Sequence, residues 1–92
     1  MPKLDQAPAS VPVFNCIAYV QANESGQCSA RVANLEGLQA TAHNQREAIA
    51  TIVAAFKERV SGLHSAGEPI PWIEPPAEKT DSETELFIPV HL

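Results

Sequence analysis

The chain has few of the features that mark a membrane protein, a secreted protein or a nucleic-acid-binding protein. No apolar run approaches the roughly 18 residues that a membrane span requires. No apolar core typical of a signal peptide is found in the opening segment, MPKLDQAPAS. The six Lys and Arg residues are scattered and the formal net charge is −5, so a phosphate-binding surface is not expected. We therefore expect a cytoplasmic protein without direct nucleic-acid or membrane binding, whose acidic charge suits a basic protein partner.

Residues that usually carry metal or catalytic chemistry are also sparse. The histidines His43, His64 and His91 are far apart, and no His-x-x-x-His or Cys-x-x-Cys spacing is present. The segments that we predict as strands contain almost no carboxylates, whereas a two-metal nuclease requires several that converge. Nothing in the spacing selects a catalytic cysteine–histidine pair. We therefore expect no enzymatic activity, no metal and no cofactor.

The two cysteines, Cys16 and Cys28, are placed by the pattern on the two strands of a hairpin. The residue opposite Cys28 would be Val20 or Gln21, which puts Cys16 roughly 13–17 Å further along at about 3.3 Å per residue. A disulfide requires Cα atoms within about 7 Å. We therefore expect two free thiols that are buried in the core.

The hydrophobic pattern predicts one α+β domain over residues 11–92, preceded by a flexible N-terminus at residues 1–10. Hydrophobic residues make up 45% of the chain, which is enough for a globular core. The proline-rich segment at residues 67–76 is expected to be extended, and residues 76–85 are expected to form a mobile linker. Strands are predicted at residues 11–20, 27–33, 38–42 and 86–92. Pro89 lacks an N–H and therefore favours an edge position for the last of these strands.

One amphipathic helix is predicted between the third and fourth strands. Asn44 is a good N-cap, and Glu47 follows it at the spacing of a capping box. Gly62 is the predicted stop. The apolar stripe of this helix consists of Ile49, Ile52, Val53, Phe56, Val60 and Leu63.

The first strand is apolar on both faces, although one helix can cover only one face of a sheet. Phe14, Cys16, Ala18 and Val20 alternate with Val13, Asn15, Ile17 and Tyr19. The second face requires the terminal strand, a linker or another subunit to cover it. We expect a subunit contact there, and the alternative is that Ile17 and Tyr19 are half-exposed strand residues. The candidate subunit interface consists of Val13, Ile17, Tyr19, Phe87 and Ile88.

Trp72 is the single tryptophan and lies in the proline-rich segment. One interpretation is that Ile70 and Trp72 cap the core where the chain returns to the sheet. The other interpretation is that they form an exposed anchor for a partner, since tryptophan is enriched at binding hot spots. Both interpretations remain open at the level of the sequence.

Several short motifs occur in the order and spacing of a known family. Residues 32–37 read VANLEG and end a strand, residues 38–42 form a short strand, and the next helix opens with Arg46, Glu47 and Ala48. This order resembles HicB-like antitoxin domains, in which a turn close to V-P-D-L-P-G precedes a helix opening with E-E-A. The two prolines of that turn are missing here. Residues 67–71 also resemble the G-x-x-[IL]-P segment that follows the helix in that family.

The resemblance implies a fold with partial similarity to ribonuclease H and a non-enzymatic role in a toxin–antitoxin system. Such domains typically neutralise a small basic ribonuclease toxin by covering its active face. Many also carry a C-terminal DNA-binding segment, and none follows Leu92 here, so we do not expect DNA binding. The resemblance therefore implies a protein-binding homo-oligomer with a small basic toxin as partner. The alternative is an orphan self-associating domain with a regulatory or structural role and no toxin partner.

Overall fold

The computed structural model describes residues 12–92, which form a four-stranded antiparallel sheet with one helix on one face. The predicted α+β class and the β-β-β-α-β order of elements are confirmed. The predicted flexible N-terminus at residues 1–10 and the predicted strand start at residue 11 lie outside the described residues. The elements are β1 (Val13–Ala22), β2 (Cys28–Val32), β3 (Gln39–Ala42), α1 (Gln45–Ser65) and β4 (Thr84–His91), and the order in the sheet is β3-β2-β1-β4.

The hairpin between β1 and β2 turns where the sequence predicts it, at residues 23–26. The Gly26 N–H donates to the carbonyl of Asn23 (3.0 Å), and Gly26 has a φ of 90°, which favours glycine. β1 extends two residues beyond the predicted end, so that Ala22 lies opposite Cys28. Cys16 pairs with Ile88 on the other side of β1, and both thiols are free, as predicted; Cys16 is buried as expected, whereas Cys28 is only half-buried.

Asn34 continues the pairing of β1 after β2 has ended at Val32. Its side-chain Oδ1 accepts a hydrogen bond from the Ile17 N–H (3.1 Å), and its Nδ2 donates to the Asn15 carbonyl (2.8 Å). Asn34 is only 9% exposed, so these bonds satisfy backbone groups that would otherwise be buried without partners. A single side chain thereby replaces the next residues of a strand.

The helix begins as predicted and ends later than predicted. The Asn44 side chain accepts a hydrogen bond from the Glu47 N–H (2.9 Å), which is the expected N-cap. The predicted stop at Gly62 is wrong, because Gly62 lies inside α1. The left-handed residue is Gly67, with a φ of 71°. The Glu68 N–H donates to the Leu63 carbonyl (2.9 Å) and the Gly67 N–H donates to the His64 carbonyl (3.1 Å), which is the Schellman arrangement.

The hydrophobic core lies between α1 and the sheet. Alternate residues of each strand point towards α1, and α1 packs chiefly on β1, β2 and β3 and least on β4. The predicted helix stripe is largely confirmed, with Ala48 as an additional buried member. The fully buried side chains with the largest volumes are Phe56, Leu35, Ile52, Val60 and Cys16.

β4 lies at an edge of the sheet, as Pro89 favours. Leu92 N–H donates to the Pro12 carbonyl (3.1 Å), one residue beyond the β1–β4 register that pairs Val13 with His91. Hydrogen-bonded and non-bonded pairs alternate along an antiparallel ladder. Pro89 and its partner Asn15 therefore form a non-bonded pair, and the missing N–H of Pro89 faces away from β1. The proline therefore costs β4 no bond to its neighbour.

Residues 73–83, which we call the crossing segment, run across the sheet face opposite the helix. The Ile73 N–H donates to the Asn34 carbonyl (3.1 Å), and the Ala77 N–H donates to the Ala33 carbonyl (3.0 Å). The predicted linker at residues 76–85 therefore makes defined contacts with the sheet, and its last two residues, Thr84 and Glu85, already belong to β4.

Within residues 12–92, no helix is long and apolar enough to cross a membrane.

Candidate protein-binding face

The sheet face that points away from α1, which we call the outer face, has a covered half and an open half. The strand register places Ile17 beside Phe87 and Tyr19 beside Arg31 on this face. The crossing segment passes over the side of Tyr19 and Arg31. The side of Ile17 and Phe87, next to β4, is left open. Both halves consist of residues that alternate with the core residues of the same strands.

Tyr19 is the centre of the covered half. Its hydroxyl donates a hydrogen bond to the Ala77 carbonyl (2.7 Å), and it is only 4% exposed. The guanidinium of Arg31 lies 5.1 Å from the centre of the tyrosine ring, a cation–π distance. Burial raises the pKa of Tyr19, and the nearby Glu85 carboxylate adds to that increase. Any use of this ring in a subunit interface would require the crossing segment to move.

Arg31 attaches the crossing segment to β2 through a bidentate ion pair with Glu83. The distances are 2.8 Å from Nε to Oε2 and 2.9 Å from Nη2 to Oε1. Nη2 also donates to the Glu78 carbonyl (2.7 Å). The hydrogen bonds from Arg31 lower the pKa of Glu83 to about 2, and the Thr80 backbone N–H contributes to that decrease. Planar guanidinium and carboxylate groups in this geometry form strong, directional pairs.

A shallow depression of about 450 Å³ lies beside this ion pair, over β2 and β3. Its walls are polar, and the charged groups in them, Arg31 and Glu83, already satisfy each other. The depression therefore presents amide and hydroxyl groups rather than a free charge. Its remaining polar side chains are Gln21, Ser29, Gln39 and Thr41.

The open half of the outer face is an apolar surface. Phe87 is 63% exposed and Val13 is 50% exposed, and they are the exposed large hydrophobic residues of the described chain. Ile17 is half-buried and lies directly beside Phe87 in the register. Large exposed apolar side chains that lie together commonly mark an interaction surface. This surface is the strongest candidate for a binding site in residues 12–92.

The predicted interface residues do not all lie on this surface. Val13, Ile17 and Phe87 all lie on the open half, where Phe87 is directly beside Ile17 and Val13 lies further along β1, whereas Tyr19 is covered within the chain. Ile88 lies on the helix side, where it packs against the core. Adjacent residues of a strand point to opposite faces, so Phe87 and Ile88 cannot share one.

The predicted partner anchors Ile70 and Trp72 both pack against the hydrophobic core. The Trp72 ring centre lies 5.8 Å from that of Phe14 and 6.0 Å from that of Phe56. These are ordinary separations for packed aromatic side chains. The structure therefore corresponds to the core-capping interpretation, and both residues stabilise the return of the chain from α1 to the sheet.

Charge is distributed unevenly around the molecule. Helix α1 carries three basic and two acidic side chains, so its surface is nearly neutral. Residues 68–85 carry Lys79 as their one basic side chain. The acidic side chains of that segment are Glu68, Glu74, Glu78, Asp81, Glu83 and Glu85. Two of these carboxylates lie beside the open apolar surface: Glu85 is two residues from Phe87 on the same face of β4, and Glu74 lines the same depression as Val13.

The described residues bring few reactive groups together. They contain no cluster of three or more His, Cys, Asp or Glu side chains placed to hold a metal ion. Burial raises the pKa of the Cys16 thiol to about 11, so this thiol is protonated at neutral pH and is a poor nucleophile. His91 pairs with Val13 on the outer face, whereas Cys16 faces the helix. The two side chains therefore lie on opposite sides of the sheet.

Sequence reasoning missed Asn34, Arg31 and Glu83 as organisers of this face. Arg31 and Glu83 are separated by 52 positions in the chain, so no local spacing connects them. Asn34 lies in a turn, where asparagine is common for local reasons. Only the placement of the crossing segment reveals what these residues do.

Comparison with known proteins provides no relative for this chain. No protein-family model, no curated protein and no solved structure matches it.

Proposed function

We propose that this chain is a non-enzymatic protein-binding module that binds a small basic protein on the open half of its outer face. The observation that carries the proposal is the exposed Phe87 ring directly beside half-buried Ile17, with exposed Val13 further along the same face of β1. An apolar centre surrounded by polar groups is the usual anatomy of a protein interface. Phe87 has the character of a central anchor, because its ring is large and rigid.

The charge around this surface specifies the kind of partner. Acidic side chains of residues 68–85 outnumber the single Lys79, and two of them, Glu85 and Glu74, lie next to Phe87 and Val13. Complementary charge accelerates association and rejects partners of the wrong sign. A basic protein therefore suits this surface better than an acidic protein or a nucleic acid does.

The resemblance to HicB-like antitoxin domains suggests a more specific role. In this proposal the basic partner is a small ribonuclease toxin, and the chain neutralises it by covering its active face. The acidic groups would then occupy the basic surface with which the toxin binds RNA. The protonated Cys16 thiol and the separated histidines support a role that requires no catalysis by this chain.

A second candidate is a self-associating domain with a regulatory or structural role and no toxin partner. The observation that favours it is the outer edge of β4, which pairs with no other strand of residues 12–92 and lies beside the same apolar surface. The two candidates differ in the partner that they require, so the presence of a basic protein in the complex separates them.

The experiment is a titration of the full chain with a small basic protein encoded by a neighbouring gene. Calorimetry should give a stoichiometric complex that weakens as salt is added. The Phe87→Asp variant should bind at least about tenfold more weakly, which corresponds to about 1.4 kcal/mol. Ala54→Asp, on the exposed side of α1, is the matched control and should bind like the wild type.

The more specific role is tested in the same mixture by measuring RNA cleavage. The chain should suppress cleavage by the basic protein in proportion to the complex formed, and Phe87→Asp should suppress it less. Binding without suppression would leave a binding module and refute the antitoxin role. Equal binding by Phe87→Asp and Ala54→Asp would refute the proposed surface.

A further inference from the structure

The outer edge of β4 is the longest unpaired strand edge among residues 12–92. The sheet order leaves β3 and β4 at its two edges, and β3 has four residues whereas β4 has eight. Exposed strand edges invite pairing with another strand, and proteins usually protect them by shortness, lysine, proline or a bulge. β3 is protected by its shortness. β4 is long and contains no lysine, and Pro89 and the charge of Glu85 are its protective residues.

The register determines which backbone groups of β4 are free. Leu92 donates to Pro12, so the alternating ladder directs the N–H and carbonyl groups of Ile88 and Leu86 towards β1. Phe87 and Glu85 therefore direct their N–H and carbonyl groups away from the sheet. Pro89 directs a carbonyl outward but has no N–H to offer. The free edge is thus able to form bonds around Phe87.

We propose that β4 pairs with β4 of a second copy of this chain, antiparallel and about a twofold axis at Phe87. In this register the two Phe87 residues exchange both of their backbone hydrogen bonds. The N–H of each Glu85 donates to the Pro89 carbonyl of the second copy. The proline then loses only the bond that its missing N–H would have made. The two sheets join into one continuous sheet.

The side chains also favour an axis at Phe87. The two phenyl rings lie directly across from each other, and Ile17 flanks each ring on the same face, which makes a continuous apolar row. An axis at Glu85 would place two carboxylates opposite each other, which is repulsive. An axis at Pro89 would leave the central pair without any N–H. An axis at Leu86 would allow as many interchain backbone bonds but would place each Phe87 ring opposite a Glu85 carboxylate. The contact between the two phenyl rings, together with proline and charge, therefore favours the register centred on Phe87.

Pairing at this edge leaves the outer face of each copy exposed, so the dimer has twice the exposed area of that face. The apolar surfaces of the two copies become neighbours across the axis, so a dimer offers a larger surface for a basic partner. The edge proposal itself uses only backbone groups of β4 and the Phe87 side chain. It is therefore independent of whether such a partner exists, and it explains how a strand that α1 covers least is stabilised.

Amide hydrogen exchange of the full chain at several concentrations, together with sedimentation, tests the edge. The Phe87 and Glu85 amides should become protected as the mass doubles, and they should exchange rapidly in dilute protein. The Ile88 amide, which bonds to β1, is the internal control and should be protected throughout. A monomer at all concentrations with a rapidly exchanging Phe87 amide would overturn the proposal. A monomer in which the Phe87 amide is protected would also overturn the proposal, because another part of the same chain would then pair with the edge of β4.

A pair of variants separates backbone pairing from side-chain contact. Phe87→Ala and Phe87→Pro both lack the ring, but only Phe87→Pro lacks the outward N–H. Neither should break the bonds between β4 and β1, and Pro89 shows that this strand accepts proline at an outward position. Phe87→Pro should dimerise about tenfold more weakly than Phe87→Ala, because two interchain hydrogen bonds are lost.

Equal dimer affinities for the two variants would show that the contact does not involve the edge and would overturn the proposal. If Phe87→Pro does not fold, the exchange of the wild-type amides decides the question without it. A dimer with unprotected Phe87 and Glu85 amides would likewise place the contact on a face rather than at the edge. Both variants lack the Phe87 ring and should weaken partner binding alike, so a difference between them that appears only in dimerisation separates this proposal from the proposed function.

Discussion

The two faces of the sheet are covered by interactions of different kinds. On the helix side, Phe56, Ile52 and Val60 of α1 fill the space above the strands and are almost completely buried. On the outer face, the crossing segment covers half of the surface through hydrogen bonds and the ion pair of Arg31 with Glu83. The other half is left open at Phe87. One face is therefore stabilised by apolar volume, and the other by a few directional bonds.

The difference shows how a small domain can separate folding from binding. Apolar burial on the helix side supplies most of the stabilisation, since each large side chain that is removed from water contributes about 1.5–3 kcal/mol. The directional bonds on the outer face contribute less in total and determine mainly where the crossing segment lies. Phe87 is 63% exposed, so the fold should depend on it much less than on Phe56. The predictions below compare the two faces directly.

The largest effect is expected on the helix side. Phe56→Ala should lower the free energy of unfolding by about 3–5 kcal/mol, because it leaves a cavity in the core. Phe87→Ala, the same change on the outer face, should alter it by about 0.5 kcal/mol or less in dilute protein. Urea denaturation measures both. Similar losses of unfolding free energy at the two positions would show that the two faces are buried to a similar extent, which would contradict the difference described here between them.

The second largest effect is expected at Asn34, which bonds to β1 beyond the end of β2. Asn34→Ala should lower the free energy of unfolding by about 2–4 kcal/mol, because it leaves the Ile17 N–H and the Asn15 carbonyl without partners. The Ile17 amide should also exchange faster with solvent. Asn23→Ala is the control, since Asn23 bonds to the Ser29 side chain in the exposed hairpin, and it should cost less than about 1 kcal/mol. An unchanged Ile17 amide would refute the role of Asn34.

The ion pair on the outer face should make stability depend on acid. The pKa of Glu83 is lowered from 4.5 to about 2 in the folded chain. Its contribution is therefore fully present above about pH 4.5 and is lost as the pH falls towards 2. Glu83→Gln should cost about 1–2 kcal/mol at neutral pH, and this difference from the wild type should shrink over that range.

The control for this acid dependence is Glu78→Gln, because the Glu78 side chain is exposed and only its carbonyl contacts Arg31. Denaturation curves between pH 2 and pH 6 compare the variants over a range that runs from above the ordinary pKa of Glu83, 4.5, down to its lowered pKa of about 2. A Glu83→Gln curve that runs parallel to the wild-type curve would contradict the assigned ion pair.

The smallest effect is expected from the tyrosine hydroxyl. Tyr19→Phe removes the hydrogen bond to the Ala77 carbonyl and should lower the free energy of unfolding by about 1 kcal/mol. The Ala77 amide should exchange faster, since the crossing segment loses one of its attachments. Gln21→Ala, which loses the bond from the Ser82 hydroxyl near the other end of the segment, is the comparison. A change in β1 exchange without a change at Ala77 would contradict this assignment.

The sequence predicted the helix side well because that side depends on periodic patterns. Apolar residues at helical spacing predicted the buried stripe of α1, and alternation predicted which residues of β1 face it. The end of α1 was predicted at the wrong glycine, since Gly62 and Gly67 differ only in backbone conformation. The helix ends at Gly67 because of the hydrogen bonds that the last free carbonyls of the helix accept there. These bonds depend on the direction in which the chain continues after the helix.

The sequence alone determined the α+β class, the order of elements, the N-cap at Asn44 and the edge position favoured by Pro89. All of these follow from local rules of spacing, capping and backbone donors. The tertiary structure decided that Tyr19 is covered while Phe87 is open, whereas strand alternation alone already separates Ile88 from the face of Phe87. The physical reason is that Arg31 and Glu83 meet across 52 positions of the chain, and no local pattern records a contact made at that distance.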